Sequence, residues 1–498
     1  MSTLIGFRKS QQSNHYQEPW QQEYKQSTTI LGSNTFLPID FQKTQNTNTL
    51  VVGSSGTGKT YSFVEPNVLQ GNMNYVISDA KGDILAHTGA SLKAQGYKIQ
   101  VLNLIDLKHS MTYNPLVYMN NQLDILSFAQ QVISTDVSGN ESRSKHDDPF
   151  WINSPASLLE SLILFVKEFL PDSEQTMGTV TRLFECLDRP DDDVNDVLLS
   201  LGYEGKSIYK FAHLKDEDDY EIPVSLGERI FDWVQQHNPH SQALRVWNSI
   251  AGIKQAERTW AGVTGILGAA LNPYMLSNVE NLLNTNQIDF TQLLHKRTAL
   301  FILYDDADPS KNFLSNVLYR QLFTFLYHQA FKCKNNRLPV KIRFFLDDFK
   351  NIEIPHFDDY LATARSRNIS LCMMVQDESQ LRTMFNENTP SIIGNCGTYL
   401  LTGTTDLSMA KLAAERFNQS IQDMRLMNEN KFLIDVNGYL TLDSRYDYRQ
   451  HPNYTNKRYD INQSYQTPNV CASWPCLIKI FQDLPSEYSD NLMENAAF

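Results

Sequence analysis

Gly53-Ser54-Ser55-Gly56-Thr57-Gly58-Lys59-Thr60 is the stretch whose residue types and spacing most directly imply chemistry. It fits the pattern G-x-x-x-x-G-K-[ST] in full. Glycines at these places let the backbone curl so that successive N–H groups face one anion, and a helix N-terminus adds partial positive charge. On this reading Lys59 reaches the β- and γ-phosphates of ATP, and the Thr60 hydroxyl ligates Mg2+. The flanks agree: the apolar run Thr49–Val52 reads as a strand, and a helix is expected from Thr60 onward.

Such a loop needs an acid at the end of another strand to hold the metal shell. Arg343-Phe344-Phe345-Leu346-Asp347-Asp348 supplies one, because ligands gather at the carboxyl ends of strands in open α/β sheets. Asp347 is assigned to the metal, through water, and Asp348 to polarising the attacking water as general base. Tyr304-Asp305-Asp306 follows an apolar strand too and is the competing site, ranked second because Ala307-Asp308-Pro309 reads as a surface turn. Met373-Met374-Val375-Gln376 ends a further apolar run with an amide. Gln376 is either a sensor beside the γ-phosphate, as in ATPases with a RecA-like core, or a polar cap on a strand end. Arg365 and Arg367 lie just before that run. They are either solvated surface arginines or a guanidinium source for transition-state charge across a subunit boundary, which would require a ring.

The elements that must position these residues follow from the texture of the chain. Its 498 residues suggest about two to four domains. A hydrophobic fraction of 41% and a charged fraction of 20% are ordinary globular values and exclude wholesale disorder. The net charge of −13 argues against a protein that simply coats DNA, though not against a local basic channel. Six cysteines are too few for a disulfide scaffold and fit a reducing compartment. Cys471 and Cys476 lack a second ligand pair at zinc spacing. No apolar run is long enough to span a membrane, since even 158–170 is interrupted by Glu160, Lys167 and Glu168. The N-terminus shows no signal-peptide pattern, so a soluble, cytoplasmic chain is expected.

Residues 1–47 read as a polar arm or a few edge strands. A parallel sheet with helical crossovers is expected over 48–119 and again over 287–450. Between them, 120–286 shows helical spacing; Leu158, Leu159, Leu162, Ile163, Val166, Phe169 and Leu170 form one face of a helix expected to start at Pro155. Residues 188–228 hold twelve Asp or Glu against four Lys or Arg, an acidic surface that would repel DNA and attract a basic protein, or else a solvated loop. Asn437-Gly438 between two apolar runs predicts a hairpin, and 451–498 is expected to be a polar tail.

In order along the chain, these residues resemble the type IV secretion coupling proteins, the TraG-like conjugative DNA-transfer ATPases. The resemblance is nearest to the forms found in Gram-positive bacteria. The matching segments are GSSGTGKT with Val64-Glu65-Pro66-Asn67, Ser78-Asp79-Ala80-Lys81-Gly82-Asp83, Tyr113-Asn114-Pro115-Leu116, Asp148-Pro149-Phe150-Trp151, LDDF, the Arg365 region, VQDESQL, and Ile393-Gly394-Asn395-Cys396-Gly397. The resemblance implies an α/β, RecA-like P-loop NTPase sheet interrupted by an all-α domain, and a homo-hexamer when active. It implies ATP hydrolysis with Mg2+, coupled to moving single-stranded DNA and its relaxase into a secretion channel. The all-α domain would receive the DNA-processing complex. By position, Lys59 and Thr60 are the loop pair, Asp347 and Asp348 the second motif, Gln376 the sensor and Arg365 the finger.

The sequence departs from the family in two places. Most members carry N-terminal transmembrane helices, which are not seen here. A membrane adaptor would then hold the chain at the cytoplasmic face of the cell membrane, unless such a segment was removed. The second motif ends in Asp-Asp rather than Asp-Glu, so Asp348 is one methylene shorter. Two other readings stay open: an FtsK-like double-strand translocase, and an ATP-binding docking adaptor with little turnover.

Overall fold

The computed structural model describes residues 28–39, 46–134, 148–189, 225–404, 406–427, 430–465 and 474–484, and the backbone of 214–215 and 221–222. The acidic stretch singled out above lies mostly outside these residues, as does Cys471. The chain divides into two compact units. One comprises Met1–Ser110 and Ile288–Ser464, the other Met111–Gln287 and Tyr465–Phe498.

The strands in chain order are β1 (Thr28–Ile30), β2 (Phe36–Pro38), β3 (Thr49–Val52), β4 (Asn74–Asp79), β5 (Lys98–Asn103), β6 (Leu214–Lys215), β7 (Glu221–Ile222), β8 (Thr298–Leu303), β9 (Ile342–Leu346), β10 (Ile369–Val375), β11 (Thr398–Leu401), β12 (Lys431–Val436) and β13 (Tyr439–Ser444). The first unit is built on a nine-stranded sheet in the order β13-β12-β11-β3-β10-β9-β4-β8-β5. From β11 to β5 every pairing is parallel, while β12 and β13 add an antiparallel hairpin at one edge. β3, β4, β8, β9 and β10 are buried along their whole length, as their near-continuous apolar sequences require of strands covered on both faces. The hairpin turns at Asn437 and Gly438, both at positive φ, as the Asn-Gly signal predicts.

Of the two expectations for the N-terminal stretch, residues 28–39 follow the strands and not the arm, though outside the main sheet. β1 and β2 pair only with each other, yet Thr28, Thr29, Ile30 and Leu31 are buried. Side chains hold them: Asn67 bonds both the N–H and the C=O of Ile30, each at 2.8 Å, and Gln70 Nε2 donates to Thr28 O at 2.9 Å. These polar bonds to backbone replace the apolar pattern that sequence reading looks for.

In the second unit the helix Phe150–Phe169 packs against the helices Gln122–Ser134, Gln242–Ala251 and Glu257–Leu271. It begins at Phe150, so Pro155 lies inside it rather than at its start. Asp148 Oδ1 accepts from Phe150 N at 2.9 Å and fixes the earlier start. Pro155 is past the first four N–H groups of the helix, so it removes one backbone bond and its ring crowds the Trp151 carbonyl. This unit begins at Met111, ahead of the expected residue 120, because Tyr113 N bonds Leu282 O at 2.9 Å and Asn114 Nδ2 bonds Gln175 O at 2.7 Å.

Nor is 451–498 one tail. Residues up to Ser464 belong to the sheet unit, and the helix Pro475–Gln482 belongs to the helical unit. There Glu174 receives Cys476 N and Leu477 N at 2.8 and 2.9 Å, and so caps that helix. No helix among the described residues is long and apolar enough to cross a membrane.

Candidate active site at the carboxyl edge of the sheet

Register decides which residues meet. Val52 lies opposite Val375 on one side and Leu401 on the other. Leu346 lies opposite Met373 and Ser78. Parallel strands in register end together, so the loop at Gly53, Gln376, Thr402 and Asp347 all emerge at one edge of the sheet.

The loop residues Gly53, Ser54, Ser55, Gly56, Thr57 and Gly58 follow β3 directly. Gly56 and Gly58 have φ of 77° and 79°, a region that side chains with a Cβ avoid. Gly53 is required for a different reason. A Cβ there would stand 1.9 Å from Thr402 Oγ1 and 2.7 Å from Thr57 Oγ1. Gly53 N donates to Val375 O at 3.1 Å, and Ser54 N to Gly403 O at 3.3 Å, so the neighbouring strand ends brace the loop on both sides. Gly53→Ala is expected to cost about 1–3 kcal/mol of folding stability through forced overpacking. Urea denaturation checks this, and an unchanged midpoint would show that the loop can open without penalty.

Lys59 Nζ donates to Gly53 O at 2.5 Å and to Ser54 O at 3.1 Å, folding over the loop it would serve. Burial lowers its pKa, while Asp347 and Asp348 oppose that shift. Thr60 opens a π-helical turn, Thr60–Val64, which runs on into the helix Glu65–Leu69. Thr60 Oγ1 donates to Asp347 Oδ2 at 2.8 Å. The loop and the second acid, far apart in the chain, therefore meet.

Asp347 is half-buried, and desolvation pushes its pKa up against the Thr60 bond and the Lys59 charge. A half-buried carboxylate beside a hydroxyl is an oxygen pair that Mg2+ would accept. That ion keeps several waters and needs only one or two protein ligands besides phosphate oxygens. Among the described residues, no group of three or more His, Cys, Asp or Glu is arranged to hold a metal ion.

Asp348 takes a left-handed conformation, φ 47°, uncommon outside glycine and asparagine. Its Oδ2 accepts from Asn351 Nδ2 at 3.0 Å. Gln376 stands where β10 ends, its N–H held by Gln380 Oε1 at 3.0 Å. The competing acids Asp305 and Asp306 follow β8, two strands beyond β9, and Asp306 pairs with Lys81 at 3.6 Å.

Arg365 is not brought to this edge. It is exposed, in the turn Ala364–Arg367 that precedes β10, and so lies at the opposite end of that strand. Arg367 has a packing role: its guanidinium stands 4.3 Å from the Phe331 ring centroid and donates to Asn336 O at 3.1 Å.

Sequence reading gave no role to several residues beside the loop. Thr402 joins Thr57 through their hydroxyls at 2.6 Å, and Arg445 reaches Gly58 from the segment after β13. Glu65 and Asp79 are buried near Asp347. Asp79 accepts from Gly82 N at 2.9 Å and Leu85 N at 2.8 Å. Burial raises its pKa to about 7. Glu65 Oε1 shares a 2.8 Å hydrogen bond with His87 Nδ1. Burial, with the charges of Asp79, Asp83 and Asp347, raises the Glu65 pKa to about 9.

The Glu65 shift has a sign that can be tested. Unfolded, Glu65 gives up its proton near pH 4.5; folded, it keeps it to about 9. Between those values the folded state holds the extra proton, so stability falls as pH rises, by up to about 1.4 kcal/mol per pH unit. Glu65→Gln removes that dependence. Its thermal midpoint should exceed the wild type's by more at about pH 8.5 than at about pH 5.5. Equal differences at both would show that Glu65 is not held protonated.

A parallel sheet with a phosphate loop on one strand, an acid on a second and an amide on the strand between them is a RecA-like P-loop NTPase core. Here a mostly helical unit is inserted between β5 and β8; it departs from the expected all-α domain by the short antiparallel pair β6–β7. The chain belongs to the family described as type IV secretory system conjugative DNA transfer, which matches residues 9–412.

Among solved structures it is similar to the bacterial conjugative coupling protein TrwBdeltaN70, unbound form, with 14% identity, 87% of this chain and 91% of that chain covered, and a TM-score of 0.57. It is also similar to the plasmid coupling protein TrwB in complex with the non-hydrolysable ATP analogue ADPNP, at 14% identity, 87% and 92% coverage and a TM-score of 0.56. For TrwB in complex with ADP and Mg2+ the values are 12%, 89% and 91%, and 0.54. At these identities the likeness is one of fold. No curated protein matches.

Proposed function

We propose that this chain is a coupling ATPase of conjugative transfer, which binds and hydrolyses ATP to move single-stranded DNA with its relaxase into a type IV secretion channel. The observation that carries the reading is the 2.8 Å bond between Thr60 and Asp347, which puts the phosphate loop and the second acid at one point. Similar TrwB structures hold ADPNP, GDPNP, or ADP with Mg2+, which supports a purine nucleotide with Mg2+ at the loop, ATP being the one the motif reading names.

In this reading the loop N–H groups and Lys59 hold the phosphates, and Thr60 and Asp347 hold the Mg2+ shell. Bound there, the ion offsets charge on the phosphates. Asp348 takes the proton of the attacking water, and Gln376 stands beside the terminal phosphate. Arg365 acts on the site of a neighbouring copy in a homo-hexamer. The chain works at the cytoplasmic face of the cell membrane, docked by an adaptor, and its helical unit receives the DNA-processing complex.

The test is ATP turnover measured with no DNA, with single-stranded DNA and with duplex, over a range of protein concentrations. Stimulation by single strands, with specific activity rising with concentration, supports a coupling motor assembled from several copies. Stimulation by duplex alone favours an FtsK-like translocase. The docking-adaptor reading has one observation of its own: the short Asp348 carboxylate is already engaged by Asn351. Nucleotide binding without turnover in any arm would establish it.

A further inference from the structure

We infer that Arg445 is a second nucleotide-binding cation, acting in the same chain as the loop and gripping the phosphates that ADP and ATP share. The inference rests on the phosphate-loop reading and names a residue that no motif identifies. Arg445 directly follows β13, on the segment returning from the edge hairpin. A methyl group added at Gly58 would stand 3.0 Å from Arg445 Nη1 and 3.5 Å from its Cζ, so the guanidinium lies on the loop backbone one residue before Lys59. Arg445 Nη2 donates to Thr402 O at 3.4 Å, and Thr402 is bound in turn to Thr57 of the loop. The two cations thus flank the loop: Lys59 lies against its first residues, Gly53 and Ser54, and Arg445 against Gly58.

Further contacts hold the arginine there. Its N–H donates to Asn430 O at 2.9 Å, its carbonyl accepts from Ser33 Oγ at 2.5 Å, and its guanidinium packs 5.6 Å from the Phe432 ring centroid. The next residues keep the segment on the loop's helix. Tyr61 Oη donates to Asp447 Oδ1 at 2.5 Å, and Tyr61 meets Tyr448 edge to face at 4.7 Å.

Electrostatics supply the reason for a second cation. A polyphosphate brings several negative charges to an edge that already carries Asp347, Asp348 and the buried Asp79, in a chain of net charge −13. A planar guanidinium can give two parallel hydrogen bonds to phosphate oxygens, which an ammonium cannot.

The experiment uses the full chain and two fluorescent probes, MANT-ADP and MANT-labelled ADPNP, with Mg2+. Arg445→Ala should weaken both probes by about tenfold or more, as loss of a charge-assisted bidentate contact implies. Arg445→Gln keeps a donor for Thr402 O without the charge. It should lose the same affinity while its nucleotide-free thermal midpoint stays at the wild-type value. Arg445→Lys should recover part of the affinity. Arg449→Ala, which removes the partner of Asp447 four residues on, should leave binding unchanged.

If wild-type chain binds both probes and Arg445→Gln binds them equally well, Arg445 is not a ligand and the loop reading stands without it. If Arg445→Gln loses affinity only in step with a lowered nucleotide-free midpoint, its role is structural and the inference fails. If wild-type chain binds neither probe, both this inference and the reading beneath it are overturned.

Discussion

Arg365→Ala should lower ATP turnover by about a thousandfold or more while leaving nucleotide affinity near the wild-type value, the signature of an arginine finger. The geometry explains why the effect must cross between copies. Arg365 sits at the amino end of β10 and Gln376 at the carboxyl end, with the seven residues Ile369–Val375 between them. At about 3.3 Å per residue that separation is roughly 20 Å, beyond the reach of any side chain. Arg365 can therefore serve a phosphate loop only on another copy. Mixing decides it. Arg365→Ala keeps an intact loop but gives its neighbour no finger, and Lys59→Ala keeps its finger but has a broken loop. Each alone should be inactive, and equimolar mixtures should regain measurable turnover at the interfaces that pair an intact loop with an intact finger. Mixtures as silent as the separate variants would assign Arg365 to the surface, where Arg367 already belongs by its packing on Phe331.

Asp348→Ala separates hydrolysis from binding. Removal of a general base costs about 10²- to 10⁴-fold in rate. Because Thr60 pairs with Asp347 and not with Asp348, Mg2+–ATP affinity should change little. Lys59→Ala should fail earlier, at binding, since its ammonium is one of the groups gripping the phosphates. Steady-state turnover together with equilibrium binding for the two variants distinguishes these modes of failure. In cells, DNA transfer should be lost with either. Transfer that survives both would show that hydrolysis by this chain is not what drives it, and would leave the docking role.

Local signals made the centre of this site legible. The phosphate loop, Asp347 and Gln376 each directly follow a short apolar run, and a strand's carboxyl end is where a ligand meets an α/β sheet. The sheet order was not legible. Nothing local says that β11 lies beside β3, and without that pairing Thr402 is an ordinary threonine and Gly53 merely a motif letter. Arg445 stayed hidden for the same reason, since its contact with Gly58 joins residues from opposite ends of the unit. The order also settles the two acidic pairs, because β9 is two strands from β3 whereas β8 is four.

Two elements depart from what a single residue and a stretch's composition predict. Pro155 looked like a helix start, but the Asp148 carboxylate begins the helix earlier. The polar composition of the N-terminal stretch concealed a buried segment, Thr28–Leu31, held by the side chains of Asn67 and Gln70.

Binding of MANT-labelled ADPNP, titrated with and without Mg2+ to wild-type chain and to Asp347→Asn, probes the meeting of Thr60 with Asp347 most directly. Tight binding that depends on the metal, and weakens about tenfold or more when the carboxylate becomes an amide, is the predicted result. A chain that fails to retain the probe, or an amide variant that keeps the full metal dependence, would contradict the account.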